Sequence, residues 1–122
     1  MGAQTTILNA IKTGAITTLQ SYVTHIAMGD DNTPINVSDT ALQSEVYREA
    51  VLSPITTISN TLSTSVFLDV TEGNGNTFRE IGVFNASSSG TMVSRNLTTV
   101  KEKTSNKEFY YEIKYTINAS NE

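Results

Sequence analysis

His25 is the only histidine among 122 residues, and the chain contains no cysteine. One imidazole and no thiol exclude a multi-histidine metal cluster, a thiolate zinc site and a disulfide framework. A nucleophilic triad through His25 would need a serine and an acid carried to it by the fold, and no local motif marks them. His25 is therefore expected to pack or hydrogen-bond at a sheet edge, and catalysis is not expected. Two acidic groups offer other chemistry. Asp30-Asp31-Asn32 with Asp39, and Asp69 with Glu72, Asn74 and Asn76, carry the carboxylate and amide oxygens that hard cations take. Neither has the spacing of an EF-hand. Asp30, Asp31, Asp69 and Glu72 are thus weak metal-ligand candidates, set against solvated turns in which Asp and Asn bond to their own backbone. No cofactor is implied.

The remaining polar motifs read as connections. Glu72-Gly73-Asn74-Gly75-Asn76 has the glycines of a tight turn but no Lys-Ser/Thr after it, so it is expected to be a hairpin turn and not a phosphate cradle. The run 101–107 holds three lysines, balanced by Glu102 and the following Glu108, with no aromatics between them. It is expected to be a solvated hairpin tip and not a nucleic-acid contact. Asn36, Asn85, Asn96 and Asn118 each open an Asn-x-Ser/Thr triplet, a pattern expected by chance in a chain of this composition.

The elements that must position these groups follow from hydrophobic spacing. Ile7, Ile11, Ala15 and Leu19 recur every four residues with Leu8 beside them, which predicts an amphipathic helix over 1–21. From residue 22 the period falls to two. Strands are predicted over 22–28, 45–51, 62–70, 78–85, 91–100 and 108–118, in a β-domain spanning 22–118. In the last of them Phe109, Tyr111, Ile113, Tyr115 and Ile117 alternate with Tyr110, Glu112, Lys114 and Thr116. Two faces of one strand cannot share a thin core, so Tyr110 is expected to be exposed or covered by another subunit. Strands joined by short turns without interposed helices predict a mainly β fold. The expectation is an antiparallel sandwich or jelly-roll-like sheet, with the helix laid across it.

Length and composition agree with one domain, residues 1–122. Apolar residues make up 38% of the chain, the formal charge is −4, and Thr, Ser and Asn account for roughly a third of it. Threonine suits half-exposed strands. A small β-domain without covalent staples is expected to gain stability from assembly. The acidic balance disfavours nucleic acid as a partner, and no apolar run is long enough for membrane insertion as a helix. The N-terminus lacks a secretory pattern, so folding in a cytoplasm is expected.

Several ordered blocks carry a resemblance. Thr24-His25-Ile26-Ala27-Met28-Gly29, a loop with Thr33-Pro34, Asp39-Thr40-Ala41-Leu42, and Glu45-Val46-Tyr47-Arg48 come first. Arg79-Glu80-Ile81-Gly82-Val83-Phe84-Asn85-Ala86 and Gly90-Thr91-Met92-Val93-Ser94-Arg95 follow. In this order they resemble a family of small phage tail and tail-fibre proteins, over roughly residues 20–95. Asp30-Asp31-Asn32 departs from that family's usual Gly/Thr loop, and 101–122 has no counterpart in it. The resemblance implies a virion structural protein of the tail, baseplate or tail fibre, folded in the host cytoplasm. Its partners would be other virion proteins and further copies of itself, as a trimer or higher ring. Ile7, Leu8, Ile11, Leu19 and Tyr110 are the expected interface residues. Alternative readings are a capsid decoration, turret or head-fibre protein, and a receptor- or glycan-binding module whose partner is a host-surface receptor.

Overall fold

The computed structural model describes residues 15–52, 56–58 and 61–116. They form two antiparallel sheets, packed face to face as a β-sandwich. The strands are β1 (His25–Gly29), β2 (Glu45–Ala50), β3 (Thr56–Ile58), β4 (Thr61–Leu68), β5 (Thr77–Phe84), β6 (Met92–Glu102) and β7 (Phe109–Thr116). One sheet has the order β2-β1-β5-β6 and the other β3-β4-β7. The helix expected over 1–21 is helical at 15–21, and Ile7, Leu8 and Ile11 lie outside the described residues. Within 15–21 the most deeply buried side chain is Ile16, and Leu19 packs beside it against the same core. The inward stripe therefore runs through Ile16, a position that the four-residue ladder through Ala15 and Leu19 does not include.

Most predicted strands shift by a residue or two. The segment 22–28 becomes β1 at His25–Gly29, because Tyr22 and Val23 close the helix end through bonds to Leu19 O and Gln20 O. The segment 62–70 ends at Leu68, since the Asp69 carboxylate accepts from Thr71 N and turns the chain, leaving Val70 exposed. β6 reaches Glu102, and β3 was not anticipated at all.

Two connections differ in kind from the expectation. Residues 69–76 do not close a hairpin: they carry the chain from β4 in one sheet to β5 in the other. The run after Glu102 likewise crosses back from β6 to β7. The two corners are bonded to each other, Gly75 N to Lys103 O at 2.9 Å and Lys103 N to Asn76 O at 2.8 Å. Lys103, expected on a solvated tip, is fully buried; its ammonium donates to Asn74 Oδ1 at 2.8 Å and Thr104 O at 3.1 Å. A buried cation is tolerable only with such acceptors around it. Gly73 takes φ +67° in this corner, with the Phe78 ring 3.2 Å from where a Cβ would stand. A side chain there meets both strain and a wall.

Between the sheets lie Ile26, Met28, Leu62, Val66, Leu68, Phe78, Ile81 and Val83, with Phe109, Tyr111, Ile113 and Tyr115 of β7 packed against them. Phe78, Phe109 and Tyr111 meet edge to face, with centroids 5.8–6.5 Å apart. Phe67, on the opposite face of β4, is exposed. Phe78→Ala is expected to cost about 3–5 kcal/mol in urea unfolding, and Phe67→Ala less than about 1 kcal/mol. Equal costs would mean that the sandwich interior is not where the stability resides.

Candidate interaction surface

The outer face of the four-stranded sheet is where the ordered blocks meet. Cross-strand pairing sets Arg48, Ala27, Gly82 and Arg95 in one row, and Glu45, Gly29 and Glu80 in the next. Small residues in the middle of these rows leave room for the β1–β2 loop to lie on the sheet. A Cβ on Gly82 would stand 2.8 Å from Leu42 Cδ2, and one on Gly29 would run into the Glu80 carboxylate. Leu42 closes a second small core there with Ala27, Phe84 and Met92.

Under the loop sits a buried ion pair that sequence reading missed. Glu80 is fully buried and takes Arg95 Nε at 2.7 Å, Gln43 N at 2.9 Å and Ser44 N at 2.8 Å. Arg95, its side chain 1% exposed, also reaches Asp39 Oδ2 at 3.4 Å and Asp31 Oδ1 at 3.9 Å. The two charges survive burial because the carboxylate is saturated by donors. A nearby signal existed in the sequence, two opposite charges on predicted strand segments, but their pairing depends on a hairpin register that spacing alone does not fix.

The second arginine of this face is equally committed. Arg48 forks onto Glu45 at 2.7 and 2.9 Å, donates through Nη1 to Ala86 O and Ser89 O, and lies 3.8 Å over the Phe84 ring. A register shift between Met28 and Gly29 turns Glu45 onto the side of Arg48. Beside them is an open cleft of about 270 Å³ lined by Thr40, Glu45, Phe84 and residues 87–90. The Asn85 side chain accepts from Thr91 N at 2.7 Å and so fixes the β5–β6 turn.

The candidate ligands are occupied otherwise. Asp30 pairs with Arg79 at 2.9 Å, and Asp31 is held below the ordinary value by the Thr33 side chain first and then by Thr33 N, which donates to it at 2.7 Å. Asp69 is lowered likewise by the Thr71 side chain and backbone, with Lys103 adding a smaller pull. Glu72 accepts from Asp69 N at 2.9 Å. These pairs do not converge on one point; among the described residues no group of three or more His, Asp or Glu could hold a metal ion. His25 hydrogen-bonds as expected, its Nδ1 2.8 Å from Thr24 Oγ1, but β1 lies between β2 and β5 and is no sheet edge. Leu19 is half-buried in its own core, whereas Tyr110 is 58% exposed. No described helix is long and apolar enough to cross a membrane.

One acidic pair does have unusual chemistry. Burial, followed by the hydrogen bond and charge of Glu72 and the charge of Asp69, pushes the Glu49 carboxyl up to about 7. Glu72 is lowered, first by that same bond and then by Asp69 N. Below about 7 the Glu49 carboxyl therefore keeps its proton while Glu72 beside it stays ionised. No family model matches the chain, and no curated protein is matched by it.

Two outcomes follow from these clusters. Glu80→Gln leaves Arg95 short of its anionic partner and is expected to cost about 3–5 kcal/mol in urea unfolding, with much of the loss recovered in the double variant Glu80→Gln/Arg95→Met. A loss below about 1 kcal/mol would show that the pair does not hold the loop. For Glu49 the folded protein binds the proton more tightly than the unfolded chain. Between its ordinary 4.5 and about 7, the folded state is protonated while the unfolded state is not, so this group's contribution to stability falls as pH rises. Melting temperatures across that window should decline in the native chain and decline less in Glu49→Gln.

Proposed function

We propose that this chain is a structural protein of a phage or phage-like virion, acting in the tail, baseplate or tail fibre as a homo-oligomeric connector between larger parts. One observation carries the reading: the blocks that resemble small phage tail proteins come together as the four-stranded sheet and the loop bound to its outer face. Gly29, Asp39, Leu42, Arg48, Glu80, Gly82, Phe84, Asn85, Thr91 and Arg95, all inside those blocks, contact or make room for one another there. Residues used in this way define a shape. Such a chain works by presenting surfaces to neighbours, with exposed apolar side chains for contact and polar rims for register.

Virions assembled with a tag after Glu122 should show the label on the tail by electron microscopy. Label on capsid faces or vertices would overturn the tail position. The purified chain should show a native mass of several copies by light scattering, and a strict monomer at every concentration would overturn the connector role.

A further inference from the structure

Four sheet edges border the sandwich, and they are not equivalent. β2 is broken by a register shift, β6 by two, and β3 spans three of the described residues. Bulges and shortness are the ordinary ways of keeping an edge from pairing. β7 uses neither. It pairs with β4 over eight residues without a register shift, and among the described residues no strand lies beyond it. Its outward side chains are Tyr110, Glu112, Lys114 and Thr116.

A lone lysine on an edge strand repels a copy of itself. Here Lys114 is accompanied by Glu112 on the same face, 61% and 44% exposed, 3.8 Å apart. We propose that β7 is the contact with a second copy of this chain, paired antiparallel about a two-fold axis through Ile113; this rests on the homo-oligomeric reading above. In that register Glu112 stands opposite Lys114 of the second copy and Lys114 opposite Glu112, twice satisfying the charge. Tyr110 stands opposite Thr116, an aromatic beside a β-branched residue. On the inner face Ile113 meets Ile113, and Tyr111 meets Tyr115.

Neighbouring registers fail. A two-fold through residue 112 sets glutamate against glutamate, and one through 114 sets lysine against lysine. A shift of one residue places the core face of one copy on the solvent face of the other. β6 offers no comparable register, because Lys101 can oppose Glu102 only with the strands overlapping at their last two residues. A cleft of about 350 Å³ between β6 and β7 runs beside the same edge, lined by Leu97, Tyr111, Ile113 and Lys114 among others. Tyr111 Oη is buried without a hydrogen-bond partner among the described residues, and burial pushes it up to about 12. One strand pair buries less than the ~1,200 Å² of a stable complex, so the dimer is concentration-dependent on its own.

Sedimentation velocity of the full chain over a concentration series tests this. Glu112→Lys and Lys114→Glu should each weaken self-association about tenfold or more, since each sets like charges opposite one another twice. Mixing the two variants should restore association, because every pair is again opposite in sign, and so should the double swap within one chain. Both positions are exposed, and circular dichroism of each variant checks that it folds. Association that is unchanged by the swaps, or not restored on mixing, overturns the β7 pairing and leaves the homo-oligomer standing. A native chain that stays monomeric throughout overturns both.

Discussion

The fold depends on a carboxylate that never meets water. Glu80 sits on the outer face of the four-stranded sheet, and its two oxygens hold Arg95 from the next strand and the backbone of Gln43 and Ser44 from the loop above. Burying an ion there is costly unless each lone pair finds a donor. The surroundings follow from that requirement. Gly29 must lack a side chain so that the carboxylate fits, Gly82 must lack one so that Leu42 can close over the sheet, and the loop must stay down so that its amides are supplied. The ion pair therefore does what a second layer of strands would do: it covers the sheet's outer face.

The consequence is a division between the two sheets. The β2-β1-β5-β6 sheet is occupied on both sides, by the sandwich core on one and by the loop on the other. Its arginines are spent on internal partners. Among the described residues nothing covers the other face of the β3-β4-β7 sheet, and Phe67, Tyr110, Glu112 and Lys114 are displayed on it. The corners joining the sheets are tied together in a similar way, since the enclosed Lys103 bonds to Asn74 across the crossing and its backbone pairs with Gly75 and Asn76.

What the sequence revealed and what it hid divides along the same line. Alternation along β7 was legible because each strand residue chooses a face independently of its partner strand, and the mainly β sandwich followed from such patterns. The run 72–76 has hairpin composition, yet positive-φ glycines suit any sharp reversal, and only the pairing of β4 with β7 makes it a crossing between sheets. Lys103 looked solvated because its neighbours Lys101 and Glu102 are; its burial comes from a corner 29 residues earlier in the chain. The acidic motifs were set between weak oxygen-ligand sites and turns in which Asp bonds its own backbone. Asp31 and Asp69 do the latter, accepting from Thr33 N and Thr71 N, whereas the Arg79 partner of Asp30 lies 49 residues away and spacing does not display it. Nothing of β3 was legible, three residues being too few to establish a period.

Net charge sharpens the argument about neighbours. A chain of −4 repels its copies at long range, so any contact between them must neutralise charge locally. The outer face of the four-stranded sheet is not placed to do so, because Arg48 already faces its own carboxylate and Arg95, although its Nη2 has no hydrogen-bond partner, is buried under the loop. Arg79 is drawn to Asp30. On β7 the situation is reversed: Glu112 and Lys114 lie in solvent, bonded weakly to each other at 3.8 Å, and exchanging that contact for two between strands costs neither charge its hydration in full. The sheet whose interior chemistry is complete supplies the rigidity, and the sheet with an unfinished edge supplies the surface.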